Sequence, residues 1–239
     1  MHALVLFDID GTLIDSGGAG IAALNQALED LTGIKDGFNG IDCAGKTDIQ
    51  IIKEACEKLH LESDNGLIPR FVGRYLTHLK PHVQIRNGGR VKVGIHNLLN
   101  GLAQDGNYGL GLLTGNIKEG ARLKLEPHSL NEFFSFGAFG DDSEDRNQLL
   151  PIAVKRYSEL TGKVVDFGRC LVVGDTPRDV ACARVHGAQC LAVATGRHSV
   201  EDLERAGANL TLSDLSETEL VLRRIEQIRL GWDHNIARW

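Results

Sequence analysis

Residues 3–12 read ALVLFDIDGT, a short continuous apolar run that ends at two aspartates and a glycine. A run of this kind is typical of a strand that is buried on both faces of a parallel sheet. Similar runs recur at residues 109–113, 170–173 and 189–194, and each of them ends at a Thr-Gly or Gly-Asp turn. We therefore expect several parallel strands whose polar ends meet at one edge of a sheet.

Apolar residues with helical spacing lie between these runs, for example over residues 95–102 and 149–160. Alternating strand and helix patterns predict an α/β fold with a doubly wound, Rossmann-like parallel sheet. Residues 17–84 differ, because they carry helical stripes without strands between them. We call them the helical insertion; it begins at a Gly-Gly pair and its last turn signal is Pro81. The predicted core domain is residues 1–16 and 85–239.

Composition excludes several classes of protein. The 239 residues include 26 basic and 32 acidic side chains, and the net charge of -6 argues against a nucleic-acid partner. No stretch approaches the roughly 20 apolar residues of a membrane span. Five cysteines without a CxxC pair indicate free thiols in a reducing compartment. We expect a cytoplasmic monomer or homodimer without a membrane partner.

Carboxylates follow two of the predicted strands: Asp8 and Asp10 after the first, and Asp175 and Asp179 after the run at residues 170–173. Four carboxylates in one crevice would repel each other unless a divalent cation lay among them. Carboxylate oxygens are the ligands that hard divalent cations prefer, so we expect Mg2+ at this site. The alternative for each aspartate by itself is a helix cap or a turn.

We expect a turn at Gly11 to bend the chain so that Asp8 and Asp10 face different sides of the site. An aspartate is a competent nucleophile toward phosphorus. A second carboxylic acid can protonate the departing alkoxide and later activate water. The pair therefore suits phosphoryl transfer.

Three ordered motifs carry a family resemblance. They read DIDGTL at residues 8–13, LLTGN at residues 112–116 and VGDTPRD at residues 173–179. In order and spacing they resemble the first, second and fourth motifs of the haloacid dehalogenase superfamily. The end of the chain, from VATG at residues 193–196, is similar to the phosphoglycolate-phosphatase-like branch. The resemblance spans essentially the whole chain.

This resemblance implies a role for each motif residue. Asp8 would form an aspartyl-phosphate, and Asp10 would act as acid and then as base. Mg2+ would be held by Asp8, the Asp10 carbonyl and Asp175, with Asp179 in support. Thr114 would hydrogen-bond the phosphoryl group, which fits a reaction catalysed by positioning and charge neutralisation.

The substrate-binding candidates are Thr12, Gly115, Asn116 and Lys46. Backbone amides in the turns after Asp10 and Thr114 offer donors to a phosphoryl group. The helical insertion resembles a C1 cap, which would close over the site and contact the leaving group. Lys46, in a loop before a predicted helix of that cap, is the candidate for binding an acidic substrate; the alternative is a solvated surface lysine. Thr12 has the alternative role of stabilising its turn.

The third motif of the family requires a basic residue, usually a lysine, and here the sequence departs from the common form. Arg146 stands just before the helix where that residue normally lies, whereas Lys155 would be inside the helix. We favour Arg146, because it keeps the charge and offers a planar fork for phosphate oxygens. Its alternative role is to pair with the acidic residues around it.

The motifs together predict a Mg2+-dependent phosphatase that acts on a small phosphorylated metabolite, with phosphoglycolate as the first candidate. A sugar phosphomutase would use the same two aspartates. A phosphonatase needs a cap lysine, for which Lys46 is available. A phospho-accepting receiver domain is about half as long and lacks this motif order, and a non-catalytic binding protein would not require both Asp8 and Asp10.

Overall fold

A computed structural model describes residues 2–61, 66–84 and 89–231 of the chain. The strands are β1 (Ala3–Phe7), β2 (Ile14–Asp15), β3 (Arg90–Val91), β4 (Tyr108–Leu113), β5 (Gly137–Ala138), β6 (Cys170–Gly174), β7 (Gln189–Val193) and β8 (Leu210–Leu212). Six of them form a parallel sheet in the order β5-β4-β1-β6-β7-β8. The other two, β2 and β3, form a separate antiparallel pair.

The helices are α1 (Ala19–Thr32), α2 (Asp48–Lys58), α3 (Leu67–Gln84), α4 (Ile95–Gln104), α5 (Lys118–Leu125), α6 (Leu149–Thr161), α7 (Pro177–Arg184), α8 (Val200–Ala206) and α9 (Thr218–Gly231). Side chains of α4, α5 and α9 contribute to the hydrophobic cluster on one face of the sheet. Side chains of α6, α7 and α8 contribute to the cluster on the other face. The prediction of a doubly wound α/β fold is confirmed.

The central strand β1 explains why its sequence has no polar alternation. It pairs with β4 on one side and with β6 on the other. Val5 and Phe7 belong to one hydrophobic cluster, whereas Leu4 and Leu6 belong to the other. Because both faces of β1 are covered by helices, every position of the strand must be apolar.

The helical insertion forms a third layer with its own buried cluster. Leu28, Ile52 and Phe71 come from its three helices, and Ile117 and Leu123 of the core join the same cluster. The insertion leaves and re-enters the core next to the β2–β3 pair. The division of the chain into these two domains remains a prediction.

The last helix of the insertion differs from expectation at Pro81. Helix α3 passes through this residue and ends at Gln84. A proline removes one intrahelical hydrogen bond and usually kinks or ends a helix. Here the flanking residues Leu79 and Val83 are both buried, so packing maintains the helix past the proline. Residues 85–88, where we expected the chain to return to the core, lie outside the described residues.

Over the described ranges, the helices are too short or too polar for a membrane span.

Candidate active site

The carboxyl ends of β1, β4 and β6 open into a cavity of about 440 Å³ between the sheet and the helical insertion. Asp8 and Asp10 follow β1, and Asp175 follows β6. Gly11 allows the chain to turn there, because it has a φ of 87°. A Cβ atom at this position would also lie only 2.6 Å from Cγ of Asp175. Glycine is therefore required both by the backbone conformation and by the approach of this carboxylate.

Three buried carboxylates form a cluster in this site. Oxygen atoms of Asp8, Asp175 and Asp179 all lie within 4.8 Å of one another. Burial, together with its acidic neighbours, raises the pKa of Asp175 to about 8. Burial also raises the pKa of Asp8 to about 6, against the opposing charge of Arg146. A group of destabilised carboxylates with hard oxygen donors fits a divalent cation such as Mg2+.

The guanidinium of Arg146 lies against this cluster. Its Nη2 atom is 2.5 Å from Oδ1 of Asp179 and 3.3 Å from Oδ1 of Asp8, and the side chain is buried. Burial opposes the charge of Arg146, but the two carboxylates raise its pKa. By contrast, the side chain of Lys155 is 77% exposed and lies 3.8 Å from Glu159 on the same helix. The structure thus brings Arg146, and not Lys155, to Asp8.

Hydrogen bonds at Asp179 and Thr12 fix the positions of the clustered carboxylates. The Oδ2 atom of Asp179 accepts hydrogen bonds from the backbone N–H and the hydroxyl of Thr176, at 3.0 and 2.7 Å, in a capping box at the start of α7. The hydroxyl of Thr12 donates to Oδ1 of Asp175 at 3.1 Å. Thr12 is fully buried and does not line the cavity. It therefore contacts a carboxylate and lies away from the surface that a substrate would touch.

The carboxylate of Asp10 points away from the acidic cluster. It accepts hydrogen bonds from Ser16 Oγ at 2.6 Å, Asn116 Nδ2 at 2.9 Å and Lys124 Nζ at 2.6 Å. Burial alone would raise the pKa of Asp10, but Lys124 and the two other donors lower it below its ordinary value. Of the Asp10 oxygens, only the main-chain carbonyl remains a candidate metal ligand, as the resemblance implied.

The turn after β4 is fixed by side chains and by the helical insertion. Asn116 Nδ2 donates to the Thr114 hydroxyl at 2.9 Å, and a hydrogen bond from Thr114 lowers the pKa of Asp8. The carbonyl of Gly115 accepts the backbone N–H of Asp48 at 2.7 Å. A Cβ atom at Gly115 would lie 2.8 Å from the carbonyl carbon of Lys46, so a side chain has no room. Gly115 and Asn116 line the cavity.

Lys46 also lines the cavity, but it has a carboxylate partner. Its Nζ atom lies 2.7 and 2.5 Å from the two carboxylate oxygens of Glu54. The side chain is only 11% exposed. An ion-paired ammonium is a poor candidate for the free amine that a phosphonatase requires, and a substrate anion would compete with Glu54 for it.

Three residues that the sequence analysis did not single out complete the site. Lys124 is buried and donates to both Asp10 and Asn116, with an Nζ–Oδ1 distance of 2.6 Å to the latter. Asp48 is buried and accepts the backbone N–H of Ile117 at 3.0 Å. Tyr75 is fully buried and lines the cavity.

One sequence signal could have located Lys124. It stands seven residues after Ile117 and three after Ala121, which are both buried, so helical spacing places it on the inner face of α5. A lysine on such a face requires a buried anion as its partner. Nothing comparable marks Tyr75, because an aromatic residue on the apolar face of a helix is ordinary core packing.

Comparison with known proteins agrees with this geometry. Residues 5–193 match the model of a family described as haloacid dehalogenase-like hydrolase. A phosphoglycolate phosphatase of Chromobacterium violaceum is 28% identical over 89% of this chain and 93% of its own length. A probable phosphatase, IndB, of Dickeya dadantii is 25% identical over 91% of this chain and 92% of its own length.

The fold is shared with solved structures. The β-phosphoglucomutase of Clostridium difficile superposes with a TM-score of 0.74 at 15% identity, and the match covers 96% of this chain and all of that structure (100%). This likeness concerns the fold alone. The family match covers most of the chain and includes the strands that carry the acidic cluster. The chain is an enzyme and belongs to the haloacid dehalogenase-like hydrolase family.

Proposed function

We propose that this protein is a Mg2+-dependent phosphatase that hydrolyses a small phosphorylated metabolite through an aspartyl-phosphate. The observation that carries the proposal is the convergence of Asp8, Asp175 and Arg146 in one cavity at the strand ends, with the carboxylate of the buried Asp179 in contact with Arg146. A buried carboxylate beside a cation and a cluster suited to Mg2+ supports nucleophilic attack on phosphorus. The names of the curated relatives support the same chemistry.

Asp8 is the proposed nucleophile. A carboxylate oxygen of Asp8 bonds to phosphorus while the ester P–O bond breaks, and Asp10 transfers a proton to the departing oxygen. Asp10 must first take up that proton when the substrate binds, because Lys124 keeps the pKa of its carboxyl low in the free site. In the second step Asp10 takes a proton from water as that water attacks phosphorus, which releases phosphate and restores the Asp8 carboxylate. Arg146 neutralises negative charge beside Asp8 in both steps, since its Nη2 atom lies 3.3 Å from that carboxylate.

Mg2+ would be held by Asp8, Asp175 and the Asp10 carbonyl, with Asp179 in support, and would neutralise charge on the transferred phosphoryl group. Thr114 would donate to a phosphoryl oxygen. The turn with Gly115 and Asn116 borders the space for that group.

Phosphoglycolate is the first substrate to test, because it appears in the name of curated relatives. A sugar phosphomutase is the second candidate, and the likeness in fold to a β-phosphoglucomutase supports its inclusion. The helical insertion would act as the cap over the leaving group. We propose that the enzyme works in the cytoplasm as a monomer or homodimer; the five free cysteines suit a reducing compartment.

The test is hydrolysis of p-nitrophenyl phosphate by purified protein with Mg2+, with a chelator, and by the Asp8→Asn variant. Turnover that requires both Mg2+ and Asp8 supports the proposal. Turnover that persists in Asp8→Asn contradicts it. Incubation with phosphoglycolate and with hexose phosphates, followed by product identification, separates release of phosphate from its return to a sugar.

A further inference from the structure

The first turn of helix α1 carries a glycine that the packing of the protein does not require. Gly20 is the second residue of this helix, and its φ is not positive. A Cβ atom at this position would meet its nearest neighbours outside its own helix turn at 3.4, 3.8 and 3.9 Å, which is ordinary van der Waals contact. Alanine would therefore fit, and it would stabilise the fold because it loses less conformational freedom on folding. The glycine costs stability, so its advantage lies outside the packing of the chain.

Two other helical glycines show how Gly20 differs. Gly101 of α4 leaves no room for a side chain, because a Cβ atom there would lie 2.7 Å from Cδ1 of Leu222. Gly73 of α3 is exposed, and a Cβ atom there would meet nothing within 4 Å. Of these three glycines, only Gly20 lines the cavity. The space that its missing side chain leaves belongs to the candidate active site.

This space borders the proposed acid and base. A Cβ atom at Gly20 would lie 3.4 Å from Nζ of Lys124, and that Nζ atom is 2.6 Å from Oδ2 of Asp10. The two distances place the missing methyl group within about 6 Å of the Asp10 carboxylate. Because Asp10 serves the departing oxygen, the space beside Gly20 adjoins the place of the leaving group.

The cavity wall next to Gly20 is aliphatic. Leu24 follows one helical turn later on the same face of α1, and it lines the cavity together with Ile21 and Ile51. A polar substituent placed against these side chains would lose water without gaining a hydrogen bond. An aliphatic carbon would instead bury apolar surface. The wall therefore favours a carbon chain as the occupant.

We propose that Gly20 is a specificity-determining residue whose missing side chain makes room for an aliphatic carbon of the leaving group. The inference rests on the proposed phosphatase function and narrows its substrates to alkyl phosphates whose leaving group has more than one carbon. A methyl group on residue 20 would occupy the same volume as that carbon. Its effect on the reaction should therefore increase with the length of the leaving group.

The test uses methyl, ethyl and n-propyl phosphate, three esters whose leaving groups differ in chain length. We would measure kcat/KM for each by release of phosphate, with the wild type, with Gly20→Ala and with Gly73→Ala. Gly73 provides a matched control, because it is a helical glycine of the same insertion and lies outside the cavity. Urea unfolding of both variants establishes that they are folded, and each substitution should raise the midpoint.

We expect kcat/KM of the wild type to rise from methyl to n-propyl phosphate. Gly20→Ala should lower kcat/KM for the longer esters by about tenfold, the lower end of the range for one methylene group in a binding pocket. It should leave methyl phosphate nearly unchanged, whereas a merely structural disturbance would lower all three values alike. Gly73→Ala should match the wild type with every ester.

An equal effect of Gly20→Ala on the three esters, no effect on any, or a wild type that does not distinguish chain length overturns the inference. Wild-type turnover of p-nitrophenyl phosphate without turnover of any alkyl ester also overturns it, while the proposed phosphatase function stands. If p-nitrophenyl phosphate and the alkyl esters all remain intact, the phosphatase function itself fails, and the inference falls with it.

Discussion

Replacement of Lys124 by methionine should destabilise the folded protein to a degree that its contacts allow us to calculate. The variant keeps most of the aliphatic stem but leaves the Asp10 carboxylate without its cation, which is 2.6 Å away in the wild type. Loss of one partner from a buried ion pair costs about 3–5 kcal/mol. The Asp10 side chain retains 37% exposure, so water screens part of the unpaired charge. We therefore expect a loss of about 2–3 kcal/mol, below that range.

Urea unfolding at neutral pH in the presence of a chelator measures this loss as a shift of the midpoint at constant m value. In a thermal scan the same loss corresponds to a decrease in Tm of about 4–12 °C. Lys155→Met is the matched control, because its side chain is 77% exposed, and it should change stability by less than about 0.5 kcal/mol. Addition of Asp10→Asn to Lys124→Met should recover part of the loss, since the unpaired carboxylate is removed. A loss for Lys124→Met no larger than that of the control would refute this reasoning.

Four further outcomes follow from the site. Asp8→Asn should abolish turnover in steady-state assays with p-nitrophenyl phosphate, because the nucleophile is lost. Arg146→Ala should lower kcat by about 10²–10³, and Lys155→Ala should leave it nearly unchanged; the reverse ranking would contradict the assignment. Mg2+ at about 100 times its Kd should raise the unfolding free energy of the wild type by about 2.7 kcal/mol, and Asp175→Asn should remove most of this gain in a chelator-controlled titration. Burial raises the pKa of Asp48 to about 6 in the folded protein, above the value of about 4 in the unfolded chain. The folded state therefore binds this proton more tightly than the unfolded state does. Its contribution to the unfolding free energy is fully present below about pH 4 and is lost as the pH rises through about 6. In urea unfolding series, Asp48→Asn should flatten that fall; an unchanged slope would show that another group titrates there.

The fold could be predicted from the sequence where the environment of an element is uniform. Strand β1 is covered on both faces, so every residue of it is buried and its sequence is a continuous apolar run. Strand β5 spans only Gly137–Ala138, and β2 and β3 are equally short, so no period can be read from them. These elements depend on their neighbours: Gly137 pairs with Leu112 of β4. Tertiary contacts, which one sequence does not reveal, decide whether such short segments become strands.

The residues of the candidate site likewise fall into those that the sequence predicts and those that depend on tertiary contacts. Asp8 and Asp175 could be predicted because they follow strands directly, and parallel strands bring their carboxyl ends together. Arg146 could be assigned because the family resemblance requires a basic residue just before this helix. Helical spacing places Lys124 on the inner face of α5, but its pairing with Asp10 could not be predicted, and the position of Tyr75 at the cavity could not be predicted at all. Helical spacing identifies an inner face but does not tell whether a ligand or a core lies opposite.

The hydrogen bonds between the helical insertion and the turn after β4 have a consequence for how this protein could change over evolution. The backbone N–H of Asp48 donates to Gly115, and its carboxylate accepts from Ile117. An exchanged insertion that offers no backbone N–H and no carboxylate at these positions would leave the Gly115 carbonyl and the Ile117 N–H without partners in a buried location. Residues 47–48 and 115–117 are far apart in the chain, yet a viable exchange has to carry both segments together. We therefore expect changes in the insertion loop at residues 47–48 to be accompanied by compatible changes in the turn at residues 115–117.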